Sequence, residues 1–200
     1  MSELTTLPPK SGAELALSVE RAYREAVILD RLGALWALIL AKCFLAQWAI
    51  NQYQIPISGL RYIWSLTLIM ALLATVMYLR AHHLSLRLFP NQFRVGSAIL
   101  GGLLVSGGFI FYAHYALSLL SFASAMGIAA ALMGTWSLAR ASLRFAYEPL
   151  CGTILWWSLA GFTLRGSDNE ALAWIGLGFL LAQSLPGFAL ARRTERGMRV

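Results

Sequence analysis

Long apolar runs alternate with short polar ones from Leu32 to Ala191. Six such runs cover about 33–52, 60–79, 95–115, 118–138, 147–164 and 171–191. Each is close to the roughly 20 residues that an α-helix needs to cross about 30 Å of hydrocarbon. A different pattern precedes them. Leu15, Val19, Ala22, Tyr23 and Ala26 recur at helical spacing within 11–31, and Ser11 and Glu14 have the Ser-x-x-Glu form of a capping box. Glu20 with Arg24, and Arg21 with Glu25, are four residues apart and can pair on the polar face. The expected architecture is all-α: a polytopic membrane bundle of six transmembrane helices, preceded by an amphipathic helix lying at the interface, with a cytoplasmic extension of the first span or a docking helix for a partner as the alternatives. Along the chain this gives a polar tail at 1–10, the amphipathic helix at 11–31, the transmembrane domain at 32–191 and a basic tail at 192–200.

Composition agrees with that class. The chain is 58% hydrophobic and 12% charged, whereas soluble domains run nearer half apolar and a quarter charged. A water-soluble core of 200 residues could not hide this much apolar surface. The net charge of +7 does not point to nucleic acid, because the arginines gather at the ends of apolar runs. The N-terminal residues lack the basic-then-apolar order of a removable signal.

Basic residues set the expected orientation. Thirteen fall in the N-terminal region, the second and fourth connections and the C-terminal tail; the other side holds only Arg61 and Arg165. Both termini are therefore expected in the cytoplasm, in a bacterial-type inner membrane. Trp48, Tyr53, Tyr62, Trp64, Tyr112, Tyr115 and Trp174 would lie at the outer interface, and Trp36, Tyr78, Trp136 and Tyr147 at the inner one.

Lys42 is the foremost candidate for function. It stands eleven residues after Arg31 and nine before Asn51, about 16 Å and 13 Å along a helix. An ammonium near mid-bilayer costs at least about 2.5–3.5 kcal/mol. It can snorkel outward, be buried against carbonyls, Gln183 or a serine, or hold an anionic group of a substrate, lipid or partner. Gln183 and Pro186 form a second candidate. Proline removes a backbone donor and kinks or opens the helix, so carbonyls near Gln183 could meet a polar ligand, or the break is a kink near the cytoplasmic end satisfied by Ser184. Small residues form a third feature: Gly101, Gly102 and Gly107 in the third run, and Gly127 and Ala131 in the fourth. Such residues let helices approach closely in lipid. They are expected to pack the third run against the fourth, with a subunit interface as the alternative.

Other chemistry is sparse. His82, His83 and His114 lie at opposite ends of their runs and make a poor ligand set. Cys43 and Cys151 suggest neither a disulfide framework nor a zinc site. Glu148 is expected to pair with Arg140 or Arg144. Trp156 and Trp157 are expected to pack in bulk, or to stack on a ring-bearing molecule. No nucleophile elbow, metalloprotease motif, phosphate loop or dinucleotide fingerprint occurs. No enzymatic role, cofactor or metal is expected.

Two functions fit. The first is the membrane component of a small-solute transport path, a channel or permease subunit without its own energy source. It requires Lys42, Gln183, Ser106 and Thr135 to converge on a hydrated cavity. The alternative is a non-catalytic scaffold or accessory subunit of a larger membrane complex, which predicts a dry bundle with Lys42 facing a partner or the interface. The expected partners are membrane lipids and either protein subunits or further copies of the chain.

Overall fold

The computed structural model describes residues 12–56, 60–81, 91–144 and 146–197. The N-terminal tail with the Ser11 cap, the His82-His83 pair and Arg199 lie outside the described residues. So do the side chains of Glu20, Arg21 and Glu25. All regular structure among the described residues is helical. In chain order the helices are α1 (Gly12–Gln52), α2 (Leu60–Ala81), α3 (Asn91–Tyr115), α4 (Phe122–Arg144), α5 (Tyr147–Arg165) and α6 (Asp168–Leu177). A π-helical stretch, Gly178–Ser184, then leads into α7 (Leu185–Gly197).

The expected interfacial helix and first apolar run are one continuous element. Nothing between Gly12 and Gln52 breaks α1, because no Gly-Pro or turn cluster separates the two patterns. Among the described residues, three helices are individually long and apolar enough to cross a membrane: Tyr62–Ala81, Phe122–Leu143 and Asp168–Arg196. That is fewer than the six expected. The apolar half of α1 belongs to a 41-residue helix that also carries a charged half. The 19 residues of α5 begin with Glu148 and Pro149 and end at Arg165. In α3, the side chains before Ala98 lie outside the described residues.

Successive helices run up and down, so two ends can be distinguished. One is tied by helix caps. Ser167 accepts the Glu170 N–H, while the Glu170 carboxylate accepts the Ser167 N–H at 2.8 Å, a complete capping box for α6. Asp168 reaches across to accept the Ala123 N–H at the start of α4, at 2.9 Å. Ser121 accepts the Ser124 N–H in the same turn. Asn169 donates to Gln52 at the end of α1. His114 Nδ1 lies 2.8 Å from the Leu120 carbonyl, and so fastens the turn between α3 and α4. Ser118 adopts a left-handed φ of 50° in that turn.

The core lies among α4, α5, α6 and the π stretch, around Trp156, Met126, Ala130, Ala160 and Ile175. Glycines permit these close approaches. A methyl group on Gly127 would meet Leu164, on Gly134 would meet Trp157, and on Gly178 would meet Trp156. The small face of α4 thus serves α5. By contrast, a methyl group on Gly101, Gly102, Gly107 or Gly108 of α3 would enter open space. α1 docks on the opposite side of α6, through Gly176 against Leu45, and on α7 through Gly187 against Ala34. The faces of α2 are largely exposed, with Leu66, Ile69, Met70 and Met77 each more than half open.

Candidate functional site

The π stretch has a local chemical cause. In an α-helix the Ala182 carbonyl would accept the N–H of residue 186, and Pro186 has none. The chain widens before it, and the Leu185 N–H bonds back to the Leu180 carbonyl, a five-residue spacing. The Ala182 carbonyl lies so close to α5 that a methyl group on Gly152 would come within 2.3 Å of its oxygen. Only glycine leaves room for that approach. π segments are rare and often mark functional positions.

Beside this stretch is a recess lined by Ser137, Arg140, Pro149, Ala182, Gln183, Pro186, Gly187 and Leu190. Its empty space is about 220 Å³, counting the part open to the outside. Little of it is deep enough for a solute, and the enclosed part has room for about one water molecule. The Ser137 hydroxyl points toward Gln183 Oε1 at 3.5 Å, a long hydrogen bond. Gln183 and Pro186 therefore share one small polar site with Ser137 and Arg140.

A chain of ion pairs borders it. Arg140 donates to Asp30 at 2.6 Å, and Asp30 is 2% exposed. Arg193 reaches Glu148 at 3.3 Å and covers the Tyr147 ring, 4.9 Å from its centroid. Arg31 pairs with Glu195 at 2.5 Å. These bonds join α1 to α4, α5 to α7, and α1 to α7. Of the two partners expected for Glu148, Arg140 is taken by Asp30 and the Arg144 side chain lies outside the described residues; Arg193 is the residue that meets Glu148. Asp30 was missed because it falls in the stretch read as a surface helix. Its signal was present, since Val27, Asp30, Ala34, Ala37 and Ala41 repeat at three- and four-residue steps, and all five are buried.

Lys42 is elsewhere. It is exposed on the outward side of α1, in line with Leu35, Leu38 and Ala46. α2 occupies a neighbouring side, where Trp36 Nε1 donates to Thr75 Oγ1 at 2.9 Å and Phe44 meets the Trp64 ring edge-on. Ser106 and Thr135 are exposed too, and each hydroxyl donates to its own helix, to Gly102 and Ala131 respectively. The four residues required by a transport path are not brought together.

Of the adjacent tryptophans, Trp157 is half-exposed and its Nε1 donates to the Ala131 carbonyl at 3.3 Å. Trp156 is fully buried, edge-on to Phe179 at 5.3 Å, and its Nε1 has no acceptor among the described residues. Cys43 is buried and Cys151 exposed, both as free thiols. Among the described residues no group of three or more His, Cys, Asp or Glu could hold a metal ion. No protein-family model, curated protein or solved structure matches this chain.

Proposed function

We propose that the chain is a six-crossing helical protein of a bacterial-type inner membrane, with both termini cytoplasmic, serving as a non-catalytic subunit of a larger membrane complex. The crossings rest on six apolar runs and the orientation on thirteen basic residues against two. The helix-tying ion pairs then lie at the cytoplasmic end.

One observation carries the choice of a subunit over a transport path. Lys42 faces outward from α1, while Gln183 faces a recess the size of about one water molecule. A path for solute needs polar groups around a continuous hydrated space. Here the interior is filled by Trp156, Met126 and a series of alanines, and the buried hydroxyls of Thr153 and Thr163 are spent on their own helix, on the Pro149 and Leu159 carbonyls. The open glycines of α3 and the exposed sides of α2 supply surface for neighbours.

Purification from its native membrane in mild detergent tests this reading. Fixed partners should co-elute in constant ratio, and liposomes holding the pure chain should pass no small solute above the empty-liposome rate. A chain that elutes alone and conducts solute would return the transport path to first place.

A further inference from the structure

We infer that the outward stripe of α1 formed by Leu35, Leu38, Lys42 and Ala46 docks a transmembrane helix of a different protein, one that carries an Asp or Glu near mid-bilayer. This deepens the subunit reading and rests on it.

The argument begins with depth. Lys42 is far from both ends of its apolar segment, about 16 Å beyond Arg31 and about 13 Å before Asn51 along α1. Its four-carbon stem falls short of either headgroup region. The surrounding stripe is apolar, with Leu35 46% and Leu38 42% exposed. A charge displayed on such a surface, in lipid, is costly unless something of opposite charge covers it.

The chain itself cannot supply the counter-charge. Its nine acidic residues are Glu3, Glu14, Glu20, Glu25, Asp30, Glu148, Asp168, Glu170 and Glu195. Five precede the apolar half of α1, and Glu148, Asp168 and Glu170 begin their helices. Glu195 lies in the last turn of α7, paired with Arg31. By position in the sequence, none falls in the middle of an apolar run, so a second copy, parallel or antiparallel, brings no carboxylate of a membrane-crossing run to the level of Lys42. Ala46 leaves space beside the ammonium for a neighbouring backbone, and the leucines supply the flanking contact. Charge complementarity thus selects a helix with one central carboxylate.

The test uses the full-length chain, fluorescently labelled at its C-terminus and reconstituted in phosphatidylcholine vesicles. The probes are single-span Leu/Ala peptides with a central Asp, Leu or Lys, bearing an acceptor dye. Energy transfer should report association of the Asp peptide with the wild type, and the Leu peptide should bind at least about fivefold more weakly. Lys42→Leu should abolish the preference for Asp, and Lys42→Asp should reverse it toward the Lys peptide. Equal binding of the Asp peptide to wild type and Lys42→Leu, or no binding to the wild type, overturns the proposal. Loss of the Asp preference when phosphatidylglycerol replaces part of the phosphatidylcholine would assign Lys42 to lipid headgroups and also overturn it. Carbonate extraction and flotation of the same vesicles report separately on the membrane reading. A chain that washes off refutes that reading, whereas an inserted chain without the Asp preference refutes only the partner.

Discussion

Gly152 and Gly107 show how differently one residue type can be used. A Cβ on Gly152 would strike the Ala182 backbone oxygen, which cannot swing aside as a side chain can. Gly152→Ala should therefore cost about 1–3 kcal/mol, seen as a lower unfolding midpoint in detergent. Gly107→Ala meets nothing, and replacing a mid-helix glycine there should leave the midpoint unchanged or raise it slightly. Asp30 makes a sharper case. Its carboxylate is buried and Arg140 is itself mostly covered, so Asp30→Ala strands a guanidinium. A loss of about 3–5 kcal/mol is expected, and the double variant Asp30→Leu/Arg140→Met should regain most of it. Failure of the double variant to recover in the same unfolding assay would show that the pair stabilises beyond mutual neutralisation.

Helix ends are where sequence and structure agree most closely. Five of the six connections fall within a few residues of the polar breaks; Ser121 and Ser167 cap the helices that follow them, whereas Ala146 opens α5 with no side-chain cap. The connection expected after Arg31 is the exception: two hydrophobic patterns with different polar faces can share one helix when no breaker intervenes. Ser167 was not singled out in the sequence, though Ser-x-x-Glu at 167–170 repeats the pattern noted at Ser11. Ser167→Ala should remove the capping box and cost about 0.5–2 kcal/mol, measurable by thermal unfolding. Asp168→Ala acts on a different helix, since its carboxylate caps α4. The Pro186 break was legible as chemistry, but its form was not. Whether a freed carbonyl leads to a kink or a widened turn depends on what packs against it, here the bare face of Gly152. The candidate site was legible in halves: Gln183 and Pro186 do share a recess, whereas the side to which Lys42 turns depends on tertiary packing of α1.

At the scale of the molecule, a four-element core of α1, α4, α5 and the α6–α7 unit carries two lightly attached helices. α2 touches α1 through Trp36 and Phe44. α3 is held at its end by His114 and by rings near Phe122. In the proposed topology, a reporter active only in the cytoplasm should work when fused after Arg199. One active only outside should work when inserted in the turn at Leu117-Ser118. The reverse pattern would overturn the orientation read from basic residues.

The π stretch also sets the angular phase of everything that follows it. A five-residue bond spacing absorbs about one residue more per turn than an α-helix, so the chain beyond Ser184 lags by about 100°. Arg193 meets Glu148, and Glu195 meets Arg31, only with that lag in place. Winding the stretch evenly as an α-helix with all its residues kept would turn both charged side chains by about 100° from their partners, whereas deleting one residue between Gly178 and Ser184 as well would restore the phase. A seven-residue irregularity in the interior thus acts as the timing gear for contacts formed about three turns later at the rim.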